Sequence, residues 1–295
     1  MKIRMDAAAG PIVRARHDLD RGRPDRALAA LEHVTGPELE TREFWALRAR
    51  SLYQLRRWDD AIAAAENGLG ISPDNFQLLD VLALAQLERG RRKHARATIE
   101  HALELYPDEA ILHAHRALIL LRMSQRTFRL TSYKKARAAA DEAVRLDPFC
   151  DEALRVRAQI AAVSGDRRAD EYAAELLAHD PEDEYAHVIR GVARGRRGDV
   201  DATIEHYLEA ARLDPADPHM AWLGRRGRAL QSWFAAPLLF LERITRGHVR
   251  FAWILVIIGA RLVHQTVVSA LAFVFWAYMW AVHIYLERRA GKAPK

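Results

Sequence analysis

The chain has 295 residues, half of them apolar and 28% charged, enough for one or two folded units with a sizeable core. A single cysteine, Cys150, excludes an intramolecular disulfide, and the opening MKIRMDAAAGPIVRARHDLDRG lacks the apolar stretch of roughly 7–15 residues that a cleavable signal peptide needs. The net charge of +6 is unevenly placed: from Ala216 onward stand eleven Lys/Arg against three Asp/Glu, and the rest is close to neutral. A nucleic-acid binder would carry its basic excess on the folded domain. A basic flank beside apolar segments instead reads as charge facing a membrane.

Ala and Leu dominate, and few stretches alternate as half-buried strands do, so helices are expected. The prolines punctuate. WDDAIAAAENGLGISPDN carries Pro73, RKHARATIEHALELYPDE carries Pro107, YKKARAAADEAVRLDPF carries Pro148, RRADEYAAELLAHDPED carries Pro181 and VDATIEHYLEAARLDPAD carries Pro215, at spacings of 34, 41, 33 and 34. Twelve positions before each Pro stand Ala61, Ala95, Ala136, Ala169 and Thr203, and five before stand Gly68, Ala102, Ala143, Leu176 and Ala210. A third set of small residues, Ala49, Ala83, Ala117, Ala158 and Gly191, precedes them. Gly90 and Gly198 mark turns, and Trp45 is an aromatic near the start of its repeat.

These residues and their period resemble the tetratricopeptide repeat (TPR) family, whose unit of about 34 residues is a helix–turn–helix. The resemblance covers roughly residues 10–215 and implies an all-α solenoid of about six repeats. A first, degenerate copy fits around Gly22, Ala27 and Leu31; it lacks the terminal Pro, which leaves its boundaries open. The fourth copy carries seven extra residues within Met123–Ser132 (MSQRTFRLTS), expected as a surface loop between its helices or as a basic arm for a partner.

The resemblance also implies that the first helix of each pair lines a concave groove for a protein or peptide. By register that surface comprises Arg50, Tyr53, Asp80, Leu84, Leu87, Ile111, Leu118, Leu121, Arg155, Gln159, Tyr185, Val188 and Val192. The Lys and Asn pattern that grips a C-terminal carboxylate in some family members is missing, since only Asn67 and Asn75 are present. The apolar middle suits a hydrophobic peptide or partner helix, unless the chain's own C-terminal helix or the curvature covers it.

After Pro215 the pattern changes. Asp217-Pro218 reads as a helix start, with Met220, Leu223 and Leu230 on one face and Arg225, Arg226 and Arg228 on the other. WFAAPLLFLERI (Trp233–Ile244) reads as an interfacial helix. Thr266–Leu286 is apolar without any Asp, Glu, Lys or Arg, long enough to cross a bilayer core of roughly 30 Å. Upstream, FAWILVIIGARLV (Phe251–Val263) is shorter and contains Arg261. A hairpin turning near Arg261–Gln265 places Arg243, Arg246 and Arg250 on the same side as Arg288, Arg289, Lys292 and Lys295; a single span or a re-entrant first arm is the alternative. The expected organisation is a TPR solenoid at 1–215, capping and interfacial helices at 216–246, a transmembrane helix pair at 247–286 and a basic tail at 287–295.

No Gly-rich phosphate loop, His-Glu-x-x-His or Gly-x-Ser-x-Gly is present. His113 and His115 are two apart, so they leave different faces of a helix. No enzyme activity, cofactor, metal, nucleic acid or small-molecule substrate is expected. The expected function is a membrane-anchored scaffold or adaptor for protein–protein interaction or complex assembly, its repeats cytoplasmic at an inner or plasma membrane and its tail in the lipid bilayer. The other reading is a non-catalytic subunit of a membrane enzyme or transporter, to which Arg261 and His264 contribute within the membrane.

Overall fold

The structure, a computed structural model, describes residues 10–127, 130–232 and 265–291. All regular elements among these residues are helical. The chain forms two compact units, Met1–Val156 and Arg157–Lys295. The first holds α1 (Pro11–Asp20), α2 (Pro24–Leu31), a 3-10 turn (Gly36–Glu40), α3 (Arg42–Gln54), α4 (Trp58–Ile71), α5 (Phe76–Glu88), α6 (Arg92–Leu105), α7 (Ala110–Thr127) and α8 (Leu130–Leu146). The division falls within α9 (Asp151–Ser164), and the second unit continues with α10 (Ala169–His179), α11 (Glu184–Arg196), α12 (Val200–Leu213), α13 (Pro218–Leu230) and α14 (Gln265–Ala290).

Local sequence sets these boundaries. The side chains of Thr41, Asn75, Asp183, Asp199 and Asp217 each accept a backbone N–H in the first turn of α3, α5, α11, α12 and α13, relieving donors that the helix cannot satisfy. Pro73, Pro107, Pro148, Pro181 and Pro215 each stand two residues beyond a second helix, where the pyrrolidine ring bars further helical turns. The degenerate first copy acquires boundaries too: α1 and α2 turn at Gly22, with Ala27 and Leu31 buried. Its missing Pro is replaced by the 3-10 turn.

Packing follows the small positions. Ala49, Ala61, Ala83, Ala95, Ala102, Ala117, Ala136, Ala143, Ala158 and Ala210 are wholly buried. At Gly68 an added Cβ would lie 2.7 Å from side-chain atoms of both Trp45 and Leu78, so α4 meets α3 and α5 at a distance only glycine allows. In the first unit each helix packs on the next in order, α1 through α8, and the clusters of buried residues run from Leu19 and Phe44 through Leu52, Ile62 and Leu78 to Ile99 and Ile119.

Of the stretch that holds the fourth copy's seven extra residues, 123–127 belong to α7 and 130–132 to α8 rather than to a loop, and residues 128 and 129 lie outside the described residues. The extra residues lengthen α7 to 18 residues and α8 to 17, against 13 or 14 in α3 to α6. The physical reason is in the segment itself: MSQRTFRLTS has no Gly or Pro, and Met, Gln, Arg and Leu are good helix formers. The other turns carry a residue in the left-handed region, Gly22, Gly90, Gly165 and Gly198 at φ of 67°, 77°, 77° and 78°. The turn between α3 and α4 has Arg56 there, at φ 58°, 34 residues before Gly90.

In the tail, α13 is as expected: Met220 and Leu223 are buried, and Arg225, Arg226 and Arg228 are exposed. The interfacial segment Trp233–Ile244, the first arm Phe251–Val263 with Arg261, and His264 lie outside the described residues. The second arm forms α14, whose side chains are described from Phe273 onward. Among the described residues no helix is long and apolar enough to cross a membrane. Its far end is held by α13. Arg225 Nε donates to the Ala290 carbonyl and Trp222 Nε1 to that of Gly291, each at 3.0 Å.

Two changes test this account. Ala95→Leu or Ala102→Leu should overpack α5 against α6 and cost about 1–3 kcal/mol, whereas exposed Glu88→Ala should shift stability by less than about 0.5 kcal/mol. Thermal unfolding that ranks them equally would refute the register. Arg56→Gly relieves a left-handed backbone and should stabilise the chain by about 1 kcal/mol; a lower melting temperature would count against it.

Candidate functional site: the first-helix face

Within Met1–Val156 successive first helices touch, α1 with α3, α3 with α5 and α5 with α7, while successive second helices approach each other less. The row of first helices is therefore the inside of a curve. Arg50 is exposed on α3, and Tyr53, Asp80, Ile111, Leu118 and Arg155 are half-buried. Leu84, Leu87 and Leu121 are buried, at 7%, 6% and 0% exposure. Leu87 belongs to the cluster around Ile99 and Leu112, with Ile111 and Leu118 packed against its edge. The apolar middle expected from sequence is thus mainly a floor, and the reachable side chains there are Ile111, Leu118 and the polar residues around Tyr53.

That surround sets three carboxylates against the Arg122 guanidinium. Burial, then the charges of Glu88, Glu152 and Asp80, push the Tyr53 phenol far above its ordinary value. Tyr53 therefore stays a neutral hydroxyl, able to donate or accept. Arg155 Nη1 donates to Glu152 at 2.8 Å, which uses part of that negative charge. In the second unit, Tyr185 is exposed, Gln159 and Val192 are half-buried, and Val188 packs against the cluster of Ala210, Met220 and Leu223.

The structure also brings together residues that the sequence pattern left apart. His113 and His115 do take different sides of α7: His113 Nε2 lies 2.8 Å from the Pro107 carbonyl, and His115 Nδ1 lies 2.6 Å from Asp80 Oδ1. Burial alone would drive His115 toward its neutral form, but the Asp80 carboxylate, by charge and by hydrogen bond, with Glu152 behind it, holds its pKa above the ordinary histidine value. The signal was a spacing of 35 residues, one repeat plus one, which sets the two side by side on α5 and α7. In the second unit Asp170, 8% exposed, accepts hydrogen bonds from Arg190, Arg194 and Arg197 at 3.3, 2.9 and 3.2 Å. Those arginines fall four and three residues apart, on one face of the α11 end. Cys150 is half-buried, and burial raises its thiol pKa, the opposite of an activated nucleophile. Among the described residues no group of three or more His, Cys, Asp or Glu is placed to hold a metal ion.

The buried pair makes a pH-dependent prediction. A raised folded pKa means that the His115–Asp80 contribution is complete below about pH 6.5 and is lost as pH rises through the folded value. His115→Leu should leave Asp80 uncompensated and cost about 3 kcal/mol or more, and the double change Asp80→Leu/His115→Leu should cost less than the sum of the singles. Chemical denaturation from pH 5 to 9 checks both. Additive singles, or an undiminished pH slope in the double variant, would count against the pair.

Comparison with known proteins agrees with this arrangement. The tetratricopeptide repeat profile matches residues 12–76, 123–166 and 167–218, more than half the chain. No curated protein matches it. Among solved structures, a thermophilic TPR protein of Thermus thermophilus is similar over 64% of this chain and 99% of its own, at 18% identity and a TM-score of 0.59. PilF of Pseudomonas aeruginosa is similar over 75% of this chain and 96% of its own, at 16% identity and 0.54. A chain of the Cut9–Hcn1 hetero-tetramer of the APC/C is similar over 79% of this chain and 45% of its own, at 12% identity and 0.63. At such identities the likeness is one of fold. The unmatched stretch 77–122 holds most of α5, α6 and most of α7, and these helices continue the stack without a break. The chain belongs to the tetratricopeptide repeat family.

Proposed function

We propose that this chain is a membrane-tethered TPR scaffold that holds a protein or peptide partner on its first-helix face and takes part in complex assembly. The observation that carries the reading is the inner face of Met1–Val156, where Ile111 and Leu118 stand half-exposed beside the carboxylates around Tyr53. An apolar strip with polar neighbours suits an amphipathic segment, with apolar side chains over α7 and basic ones toward Asp80, Glu88 and Glu152. The double change Ile111→Glu/Leu118→Glu should abolish recovery of the partner from detergent extracts while the melting temperature stays within a few degrees. Recovery of the same partners would remove the first-helix face from the function.

The tether rests on the uncharged run Thr266–Leu286 and on α14, where Phe273, Val274, Trp276 and Trp280 are each more than half exposed. Water disfavours such a face, and a bilayer with its interface accommodates it. The hold of α13 on Ala290 and Gly291 bears on the number of crossings. A single crossing would carry Gly291 to the side opposite α13, whereas a hairpin returns it, so this contact favours two crossings with the repeats and Lys295 both in the cytoplasm of an inner or plasma membrane. In a Cys150→Ser background, single cysteines at Gln265 and Ala293 distinguish the cases. A membrane-impermeant maleimide applied to intact cells should label position 265 and spare 293; the reverse pattern would establish a single span.

A further inference from the structure

On the far side of α7 from the groove residues, α6, α7 and α8 enclose an open cleft of about 310 Å³, at the low end of the roughly 300–1,000 Å³ typical of small-molecule pockets. One wall is apolar, formed by Leu120, Ala138 and Ala139; the other carries Arg96, Glu100, His113, Arg116, Lys135 and Glu142. The charges on that wall are unequally matched. Glu100 accepts from Arg96 at 2.9 Å. Glu142 is held by both Nε and Nη2 of Arg145, at 2.8 and 2.6 Å. Arg116 and Lys135 have no carboxylate partner among the described residues, and two buried nitrogens, Arg116 Nε and His113 Nδ1, have no hydrogen-bond partner. His113 Nε2 is engaged by the Pro107 carbonyl. Nδ1 therefore accepts from a hydroxyl when the ring is neutral and donates when the ring is cationic.

We propose that this cleft binds a small organic oxyanion, an apolar body carrying a phosphate-monoester or carboxylate head. The planar Arg116 guanidinium suits two oxygens of either head, Lys135 adds a point charge at the rim, and His113 Nδ1 donates to a head-group oxygen when the ring is cationic and accepts from a protonated one when it is neutral. The body lies on the Leu120 and alanine wall. A buried donor without a partner is costly, and an oxyanion that satisfies Arg116 Nε gains most from the site. The cleft is on the face of α7 opposite Ile111 and Leu118, so its occupancy is independent of a partner in the groove.

The test is calorimetric titration of the full chain with phenyl phosphate, with benzyl alcohol as the uncharged counterpart, at fixed ionic strength. Phenyl phosphate should bind saturably at millimolar concentration and benzyl alcohol should not. Arg116→Met should weaken binding at least about tenfold, as expected for loss of one charge-assisted hydrogen bond. Lys135→Met, at an exposed position where folding tolerates the change, should weaken it about threefold or more. Arg212→Met removes an exposed cation from the other unit, where it is paired with Glu209, and should leave binding unchanged. Absence of saturable binding, equal binding of the alcohol, or affinities indifferent to both Arg116 and Lys135 would overturn the proposal. If Arg116→Met fails to fold, Lys135→Met alone decides.

Discussion

The fold depends on how closely one helix can approach the next. A solenoid has no central core; each helix pair must bury its apolar face on its neighbours, and the separation is set where backbones come nearest. In this chain those points are alanines with no exposed surface, and in α4 Gly68, whose missing side chain leaves room for Trp45 and Leu78. Larger residues then interlock around the contacts, which is why Leu52, Leu78, Ile99 and Ile119 form nearly continuous clusters along Met1–Val156. Curvature of the row of first helices follows from that spacing.

Much of this architecture was legible in the sequence because it is imposed by steric rules with fixed positions. A proline two residues past a helix, an Asp or Asn at a helix start and an alanine at a crossing each have one structural meaning, and recur at about 34 residues outside the lengthened fourth copy. The extra residues in the fourth copy illustrate the limit. Read as an insertion into a repeat, Met123–Ser132 implied a loop. Read for its own preferences, a stretch without glycine or proline implies helix, and its described residues are helical. The reverse case is Arg56, where the stack imposes a left-handed turn that its residue type disfavours.

The candidate site was less legible. Register identified which residues belong to first helices, but not how much of each the neighbouring helices would cover, and Leu84, Leu87 and Leu121 proved to be buried. Polar pairings such as His115 with Asp80, or the three arginines on Asp170, join helices whose relative rotation a repeat pattern leaves free within tens of degrees. A few ångströms decide whether two such groups meet. Chemistry that depends on meeting side chains is therefore the last thing to emerge from sequence.

The grip of α13 on the end of α14 has a thermodynamic consequence. It closes a ring of about sixty residues between Leu230 and Ala290, of which Gln265–Ala290 are the helix α14 itself. The two hydrogen bonds contribute about 1–3 kcal/mol to that closure, and Ala290, at the contact, is nearly inaccessible to water. A displacement of Ala290 and Gly291 is therefore felt directly at Trp222 and Arg225 on α13, which follows the last repeat.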